Sequence, residues 1–209
     1  MYSVLPSFVI GFHGCDKSVA EEVLSGKNRL NPSTNSYDWL GHGIYFWENN
    51  PQRAIEYANV IKENPERCKE KVREPHALGA VIDLGHCLNL LDSKNLQLIN
   101  TAYEALKKAC SKKGSVMPQN KLVKGGELLL RNLDCAVVNF LHAQQKELVS
   151  EKKAHYEFDT VRAVFVEGKA LYGNSGFCNK NHIQICVRNP NCIKGYFREI
   201  EPLTEYRIP

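Results

Sequence analysis

Two long helical patterns in the middle of the chain, with strand patterns on both sides, most constrain the fold. Segments 93–114 and 132–152 carry apolar residues at helical spacing, such as Leu96, Ile99 and Tyr103 in the first. Short apolar runs bounded by glycine or polar residues precede and follow them and predict β-strands. Because strands and helices do not alternate regularly, we predict an α+β fold with an antiparallel or mixed sheet, not a doubly wound one.

Local signals place the remaining elements. A helix is predicted at 16–26, where Asp16 can cap the first turn and Gly26 can end the last. A second helix begins at Pro51, which follows Asn50 as a capping residue. The predicted strands are 7–14, 42–47, 77–91, 159–168, 181–189 and 193–200.

The composition is that of an ordinary globular protein and argues against several functions. With 209 residues, of which 43% are apolar and 24% charged, the chain can bury a core. We predict a single domain, 1–209, with a helical elaboration at about 92–152. The net charge of +4 is too small an excess to indicate a dedicated nucleic-acid binder. The sequence also lacks the glycine-rich phosphate loops of Rossmann and P-loop proteins.

The eight cysteines and the N-terminus favour a cytoplasmic protein. No two cysteines form a Cys-x-x-Cys pair, so we expect neither a zinc site nor any other metal site. The N-terminus shows no basic segment followed by a long apolar one, and we therefore expect no secretory signal and reduced thiols. The longest apolar runs are far shorter than a membrane span, so we expect no membrane partner.

Three short stretches indicate the function. They are "FHG" at 12–14, "GHGIYFWENNPQRAIEYA" at 41–58 and "HIQICV" at 182–187. In the third stretch, strand alternation places Gln184 on the face opposite Ile183 and Ile185. A polar amide in the middle of a strand requires partners, because an unpaired buried one costs about 1–3 kcal/mol.

These stretches resemble the ADP-ribosyltransferase superfamily, in the branch of diphtheria toxin and the poly(ADP-ribose) polymerases. The signature of that branch is His, Tyr and a third polar residue, usually Glu, and the matching positions here are His13, Tyr45 and Gln184. The resemblance covers roughly 8–58 and 181–188. It implies split antiparallel β-sheets with flanking helices, the helical middle segment being an addition, and it implies NAD as a substrate.

The resemblance also implies a role for each matching residue. His13 would bond the adenosine ribose, and Gly14 would let the backbone approach the nicotinamide amide. Tyr45 would stack on the nicotinamide ring, a contact worth about 0.5–1.5 kcal/mol beyond burial. Gly43 would line the cofactor site, and Arg162 would hold a phosphate. The catalytic set is therefore His13, Tyr45 and Gln184.

The implied reaction is cleavage of the nicotinamide–ribose bond of NAD through an oxocarbenium-like transition state. Gln184 supplies a dipole in place of the charge of a Glu and cannot act as a base. We therefore expect a transferase that moves a single ADP-ribose, not a polymer, to an unidentified protein or nucleic-acid acceptor. Candidate bases are Asp38, Glu48, Glu157 and Asp159, and His42 is close enough in sequence to reach the cleft. A bacterial toxin or phage-defence role would suit such an enzyme.

Two other functions remain open. One is a catalytically inactive module of the same fold that binds NAD, ADP-ribose or a partner protein. The other is an RNA 2′-phosphotransferase, for which only a weak version of the required Arg and His set is present.

Each residue also has a structural interpretation. His13 could satisfy a turn, Tyr45 could be a core aromatic, and Gln184 could face solvent. Arg162 could form a surface ion pair. The lysines between 107 and 124 could form a solvated helix face or contact nucleic-acid phosphates.

Overall fold

A computed structural model describes residues 8–65, 71–123 and 128–207. The described residues form four α-helices, seven strands and a short 3-10 helix (Pro190–Cys192). The helices are α1 (Lys17–Leu24), α2 (Pro51–Glu63), α3 (Ser93–Lys113) and α4 (Asn132–Ser150). The strands are β1 (Phe8–Asp16), β2 (Ile44–Glu48), β3 (Pro75–Asp83), β4 (Cys87–Asn89), β5 (Thr160–Phe165), β6 (His182–Val187) and β7 (Ile193–Phe197).

The seven described strands form one mixed sheet in the order β4-β5-β6-β2-β1-β3-β7. The β4–β5 pair is parallel, and the other neighbouring strands are antiparallel. The parallel pair is joined by the long connection that contains α3 and α4, since parallel strands need a crossover. The predicted α+β class with a mixed sheet is confirmed. The split antiparallel sheets that the resemblance implied are not, because the described strands form one sheet with a parallel pair.

The predicted helix starts are confirmed by their caps. The Asp16 carboxylate accepts the Ser18 N–H at the start of α1, and the Asn50 side chain accepts the Arg53 N–H at the start of α2. Gly114 ends α3 in the left-handed conformation, with φ 65°, which glycine adopts without steric cost. These signals involve neighbouring residues, which is why the sequence shows them.

The single strand predicted at 77–91 is wrong, because the chain forms two strands that lie far apart in the sheet. β3 pairs with β1 and β7, whereas β4 pairs with β5 at the opposite edge. Gly85 separates them with φ 55°, and a Cβ there would lie 2.6 Å from the Asp159 carboxylate. The same carboxylate accepts the His86 N–H at 2.9 Å and holds the turn.

Both faces of the sheet are covered. On one face, α1 packs Ala20 and Val23 onto a cluster with Phe46, Leu78 and Ile185. The core therefore includes the isoleucine face of the predicted "HIQICV" strand.

The opposite face is covered by different helices at its two ends. At one end, α3 and α4 pack on Leu88 and Val161. At the other end, α2 packs Ala54 onto Phe12 and Trp47. The Tyr45 and Gln184 side chains also project from this face. Tyr45 lies two residues from Trp47 along β2, and Gln184 in β6 lies opposite Trp47.

Other features of the described residues bear on the sequence expectations. No described helix combines the length and apolar character needed to cross a membrane. Seven cysteines are free thiols, and Cys68 lies outside the described residues. Within the described ranges, no group of three or more His, Cys, Asp or Glu side chains could hold a metal ion.

Candidate functional site

The candidate site begins where β1 and β2 part. Their pairing includes Gly11 with Glu48 and Phe12 with Trp47 and then stops, while β1 stays paired with β3 as far as Asp16. The Asn49 N–H donates to the Ile10 carbonyl at 2.9 Å, so the even-numbered residues of β1 direct their backbone groups towards β2. Gly14 therefore directs its N–H and C=O into the gap.

The His13 ring bonds to the backbone of β2 beside this gap. Its Nδ1 lies 2.8 Å from the Tyr45 carbonyl oxygen. A carbonyl only accepts, so Nδ1 carries the proton and donates it. In continued pairing, the Gly14 N–H would donate to that same oxygen. Because His13 takes this oxygen and the β1–β2 register ends at Phe12, the Gly14 N–H is not paired with β2.

Gly14 is also required by helix packing. A Cβ on Gly14 would lie 2.1 Å from the carbonyl oxygen of Ala54, so only glycine lets α2 approach β1 this closely. The resemblance gave a different reason, the approach of nicotinamide to the backbone. The close contact that the structure shows is with α2, which forms one border of the gap.

Gly43 is similarly fixed by packing. A Cβ there would lie 2.5 Å from the Cys186 sulfur. Its backbone N–H and C=O both bond to Ser33, at 3.1 and 2.8 Å. Gly43 therefore positions the start of β2, and its own backbone groups are already used.

Tyr45 has its hydroxyl bonded by the loop that precedes β2. Its hydroxyl donates to the Gly41 carbonyl at 2.7 Å and accepts the Leu40 N–H at 3.0 Å. Burial raises the pKa of Tyr45 well above its ordinary value, so the phenol stays protonated. The structure thus brings His13 to the backbone of Tyr45, while the ring packs with the cluster under α3 and α4.

Gln184 lies opposite Trp47, on the same sheet face as the Tyr45 ring. Its Oε1 accepts the indole N–H of Trp39 at 2.6 Å. Its Nε2 has no hydrogen-bond partner among the described residues. Trp39, in the loop before β2, is separated from Gln184 by 145 residues, and no sequence signal pointed to it.

Arg162 has a carboxylate partner in place of a phosphate. Its guanidinium donates twice to Glu48, at 2.5 and 2.7 Å, and the two side chains are only 14% and 11% exposed. These hydrogen bonds raise the pKa of Arg162. Arg162 lies opposite Ile185, so it projects from the face opposite Gln184. Arg162, the predicted phosphate ligand, and Glu48, a candidate base, are therefore bonded to each other.

The remaining candidate bases have mainly structural partners. Asp159 accepts from the His86 N–H and from the Asn189 side chain, at 2.9 and 2.7 Å. Asp38 accepts the Asn35 N–H at 2.7 Å, and burial raises its pKa. The Glu157 carbonyl, rather than its carboxylate, lies 2.9 Å from His86 Nδ1.

An aromatic cluster beside the gap was missed by the sequence reasoning. Trp47 has its ring centroid 5.0 Å from that of Tyr57 in α2 and 6.1 Å from that of His182. His182 Nδ1 bonds the Lys180 carbonyl at 2.7 Å, and burial lowers the pKa of His182 to about 4. Trp47 Nε1 and His182 Nε2 are buried without partners among the described residues. The cluster therefore adds a neutral imidazole and an indole donor to this region.

A separate open cavity of about 470 Å³ lies at the start of α4. Ser36, Gln119, Asn132 and Cys135 are among the residues that line it. Lys121, one of the lysines between 107 and 124, lines it, but none of the predicted catalytic or cofactor-binding residues does.

Comparison with known proteins identifies a distant relative. No protein-family model and no solved structure matches the chain. The chain is similar to an uncharacterized protein of Methanocaldococcus jannaschii, with 28% identity over 213 residues, covering 88% of this chain and 83% of that protein. Because that relative is uncharacterized, the similarity carries no activity over to this chain.

Proposed function

We propose that this protein is a mono-ADP-ribosyltransferase with an ADP-ribosyltransferase-type fold. It binds NAD at the gap between β1 and β2, releases nicotinamide and transfers ADP-ribose to an acceptor. The observation that supports this most is the unpaired Gly14 N–H, which faces the gap where His13 and the Tyr45 backbone meet.

The gap suits a primary carboxamide such as that of nicotinamide. A carboxamide offers one acceptor oxygen and one NH2 donor. Gly14 offers a complementary N–H and C=O on the same side of its strand, as any antiparallel strand edge does. The Tyr45 side chain contributes ring surface only, since its hydroxyl is fully engaged with Leu40 and Gly41.

The chemistry needs few protein groups. The bond between ribose C1′ and the pyridinium nitrogen breaks, its electron pair goes to nitrogen, and neutral nicotinamide leaves. A nucleophile of the acceptor then bonds to C1′ and loses its proton. Gln184 orients the ribose and brings no charge to the oxocarbenium-like carbon, which favours slow single transfer over chain extension.

The proposal is tested by incubating the protein with NAD and measuring nicotinamide release and ADP-ribose transfer to acceptors in a cell extract. We expect release by the unaltered protein, and a loss of about tenfold or more in Tyr45→Ala because the ring contact is removed. Gly195→Ala is the control, since a Cβ there meets no atom within 4 Å. If the protein binds NAD but shows neither nicotinamide release nor ADP-ribose transfer, the proposed transferase activity is refuted.

The second candidate is an inactive module that binds NAD or ADP-ribose. It is favoured by one observation, that the position of the usual Glu holds an amide whose oxygen is bonded to Trp39. Calorimetry with NAD separates the two functions, because this module would bind the dinucleotide and leave it intact.

A further inference from the structure

We propose that Trp39 is a positioning residue that turns the oxygen of Gln184 away from the ligand and presents its NH2 group instead. The identity of the ligand, NAD, rests on the proposed function. The orientation of the amide rests on the contacts of the two side chains alone.

The hydrogen-bonding chemistry sets the orientation of the amide. An indole N–H can only donate, so the Gln184 atom 2.6 Å from it must be the oxygen. Turning the amide over would set two donors against each other in a partly buried position and leave both unsatisfied. The Nε2 end is therefore the one left for a ligand.

Trp39 is itself held in place from two directions. Its ring centroid lies 4.8 Å from that of Phe165, and the Arg131 guanidinium lies 5.3 Å from it. Arg131 also lies 5.6 Å from the Phe165 ring and pairs with Asp134. A side chain packed in this way orients its partner without contacting the ligand.

The backbone next to Trp39 holds the second site residue. Residues 38–41, which we name the Trp39 turn, are closed by the Gly41 N–H donating to the Asp38 carbonyl at 2.7 Å. Leu40 and Gly41 in this turn bond the Tyr45 hydroxyl. One turn therefore engages the oxygen of Gln184 and the hydroxyl of Tyr45 together.

The consequence is a site that recognises acceptor oxygens. With the Tyr45 hydroxyl and the Gln184 oxygen engaged, the donors that the described residues leave for a ligand include the Gln184 NH2 and the Gly14 N–H. In NAD, the carboxamide oxygen and a ribose hydroxyl oxygen are acceptors that meet this requirement. The site thus uses donation where a Glu would accept.

The test is a double-mutant cycle on NAD affinity. Trp39→Phe removes the indole N–H and keeps an aromatic ring. We expect it to weaken NAD binding about five- to tenfold in the unaltered protein, the cost of one oriented hydrogen bond. In a Gln184→Ala background we expect less than a twofold effect, because Trp39 acts only through Gln184.

Trp47→Phe is the matched control. Trp47 lies opposite Gln184, and the change replaces an indole by a phenyl ring as Trp39→Phe does. The Trp47 N–H, however, has no partner among the described residues. We expect its effect on NAD affinity to be equal in both backgrounds. An equal effect of Trp39→Phe in both backgrounds would overturn the positioning role and leave the proposed function intact.

A second measurement needs no ligand. In the protein free of NAD, we expect the side-chain NH2 signals of Gln184 to be sharp and well dispersed in nitrogen-edited NMR spectra. In Trp39→Phe these signals should lose their dispersion, because the amide is no longer held in one orientation. In Trp47→Phe they should stay dispersed. Unchanged signals in folded Trp39→Phe would refute the fixed amide. A protein with this fixed amide that binds no NAD would instead refute the proposed function and the ligand assignment.

Discussion

At the scale of single residues, the polar atoms of the site are mostly engaged by the protein itself. Tyr45 uses its hydroxyl and Gln184 its oxygen in contacts with the Trp39 turn. Arg162 and Glu48 neutralise each other on the other face of the sheet. The residue types that the sequence suggested are thus present, but several act by holding neighbouring residues.

Tyr45→Phe separates the hydroxyl from the ring. The change removes two hydrogen bonds of a buried phenol, so we expect the free energy of unfolding to fall by about 1–3 kcal/mol. Urea denaturation measures it. Because the ring remains, nicotinamide release should stay within about threefold of that of the unaltered protein. If the free energy of unfolding does not change, the hydrogen-bonding role of the hydroxyl is refuted.

Gln184→Glu tests the meaning of the amide. A carboxylate still accepts the Trp39 N–H and, in the proposed reaction, would add a negative charge near the oxocarbenium-like ribose. At saturating NAD we expect nicotinamide release to rise by about tenfold, equivalent to about 1.4 kcal/mol, while loss of the NH2 donor weakens NAD binding. Gln184→Ala, which removes both the dipole and the hydrogen bond, should lower it. Slower release by the Glu variant would show that the donor group, and not missing charge, matters here.

At the scale of secondary structure, the gap depends on how α2 packs on β1. The Gly14 backbone lies directly against the Ala54 carbonyl, and β1 leaves β2 at the same level of the sheet. The His13 ring bonds to the Tyr45 carbonyl, which a backbone N–H of β1 would otherwise bond. The site is therefore a property of two strands and a helix, not of one motif.

Gly14→Ala should separate α2 from β1. The added Cβ would meet a backbone oxygen at 2.1 Å, which cannot move without the helix. We expect a loss of about 3 kcal/mol or more in the free energy of unfolding, typical of overpacking against a rigid neighbour. Thermal and urea denaturation measure it. Gly195→Ala in β7 is the control and should change stability by less than about 1 kcal/mol; equal losses in the two variants would refute the packing role.

At the scale of the whole molecule, buried histidines link stability to pH. Burial lowers the pKa of His142 to about 3, with a smaller contribution from Arg188, and that of His182 to about 4. Both ring nitrogens of His142 lack partners among the described residues. The folded protein therefore holds these imidazoles neutral at pH values where the unfolded chain protonates them.

This linkage has a definite sign. Above about pH 6.5 neither state binds the protons, so the stability is fully present. As pH falls from 6.5 towards 4, the unfolded state binds them first, and each histidine lowers the unfolding free energy by up to about 1.4 kcal/mol per pH unit. Urea denaturation from pH 7 to 4.5 measures the slope.

His142→Leu supplies the control for this prediction. Its apolar side chain suits the surroundings of α4 and removes one titrating group, so the slope should be shallower than in the unaltered protein. If the unfolding free energy of His142→Leu falls with pH as steeply as that of the unaltered protein, His142 does not cause the pH dependence.

The site was only partly predictable from the sequence. His13 bonds to the Tyr45 backbone because β1 and β2 are neighbours, and both residues lie in stretches that the sequence analysis selected. Trp39 was not recognised, because its contact with Gln184 spans 145 residues and depends on the packing of Phe165 and Arg131. Likewise, the pairing of Arg162 with Glu48 depends on β5 and β2 both flanking β6.

The amino-acid sequence by itself determined the helices, most strands and their caps, because apolar periodicity and capping act between residues a few positions apart. It also determined that Gln184 and the neighbouring isoleucines lie on opposite faces. The tertiary structure alone decided the strand order, the division of 77–91 into two strands, the parting of β1 from β2 and the partner of each polar side chain. These features depend on contacts between distant segments, whose free energies are settled only when the whole core packs.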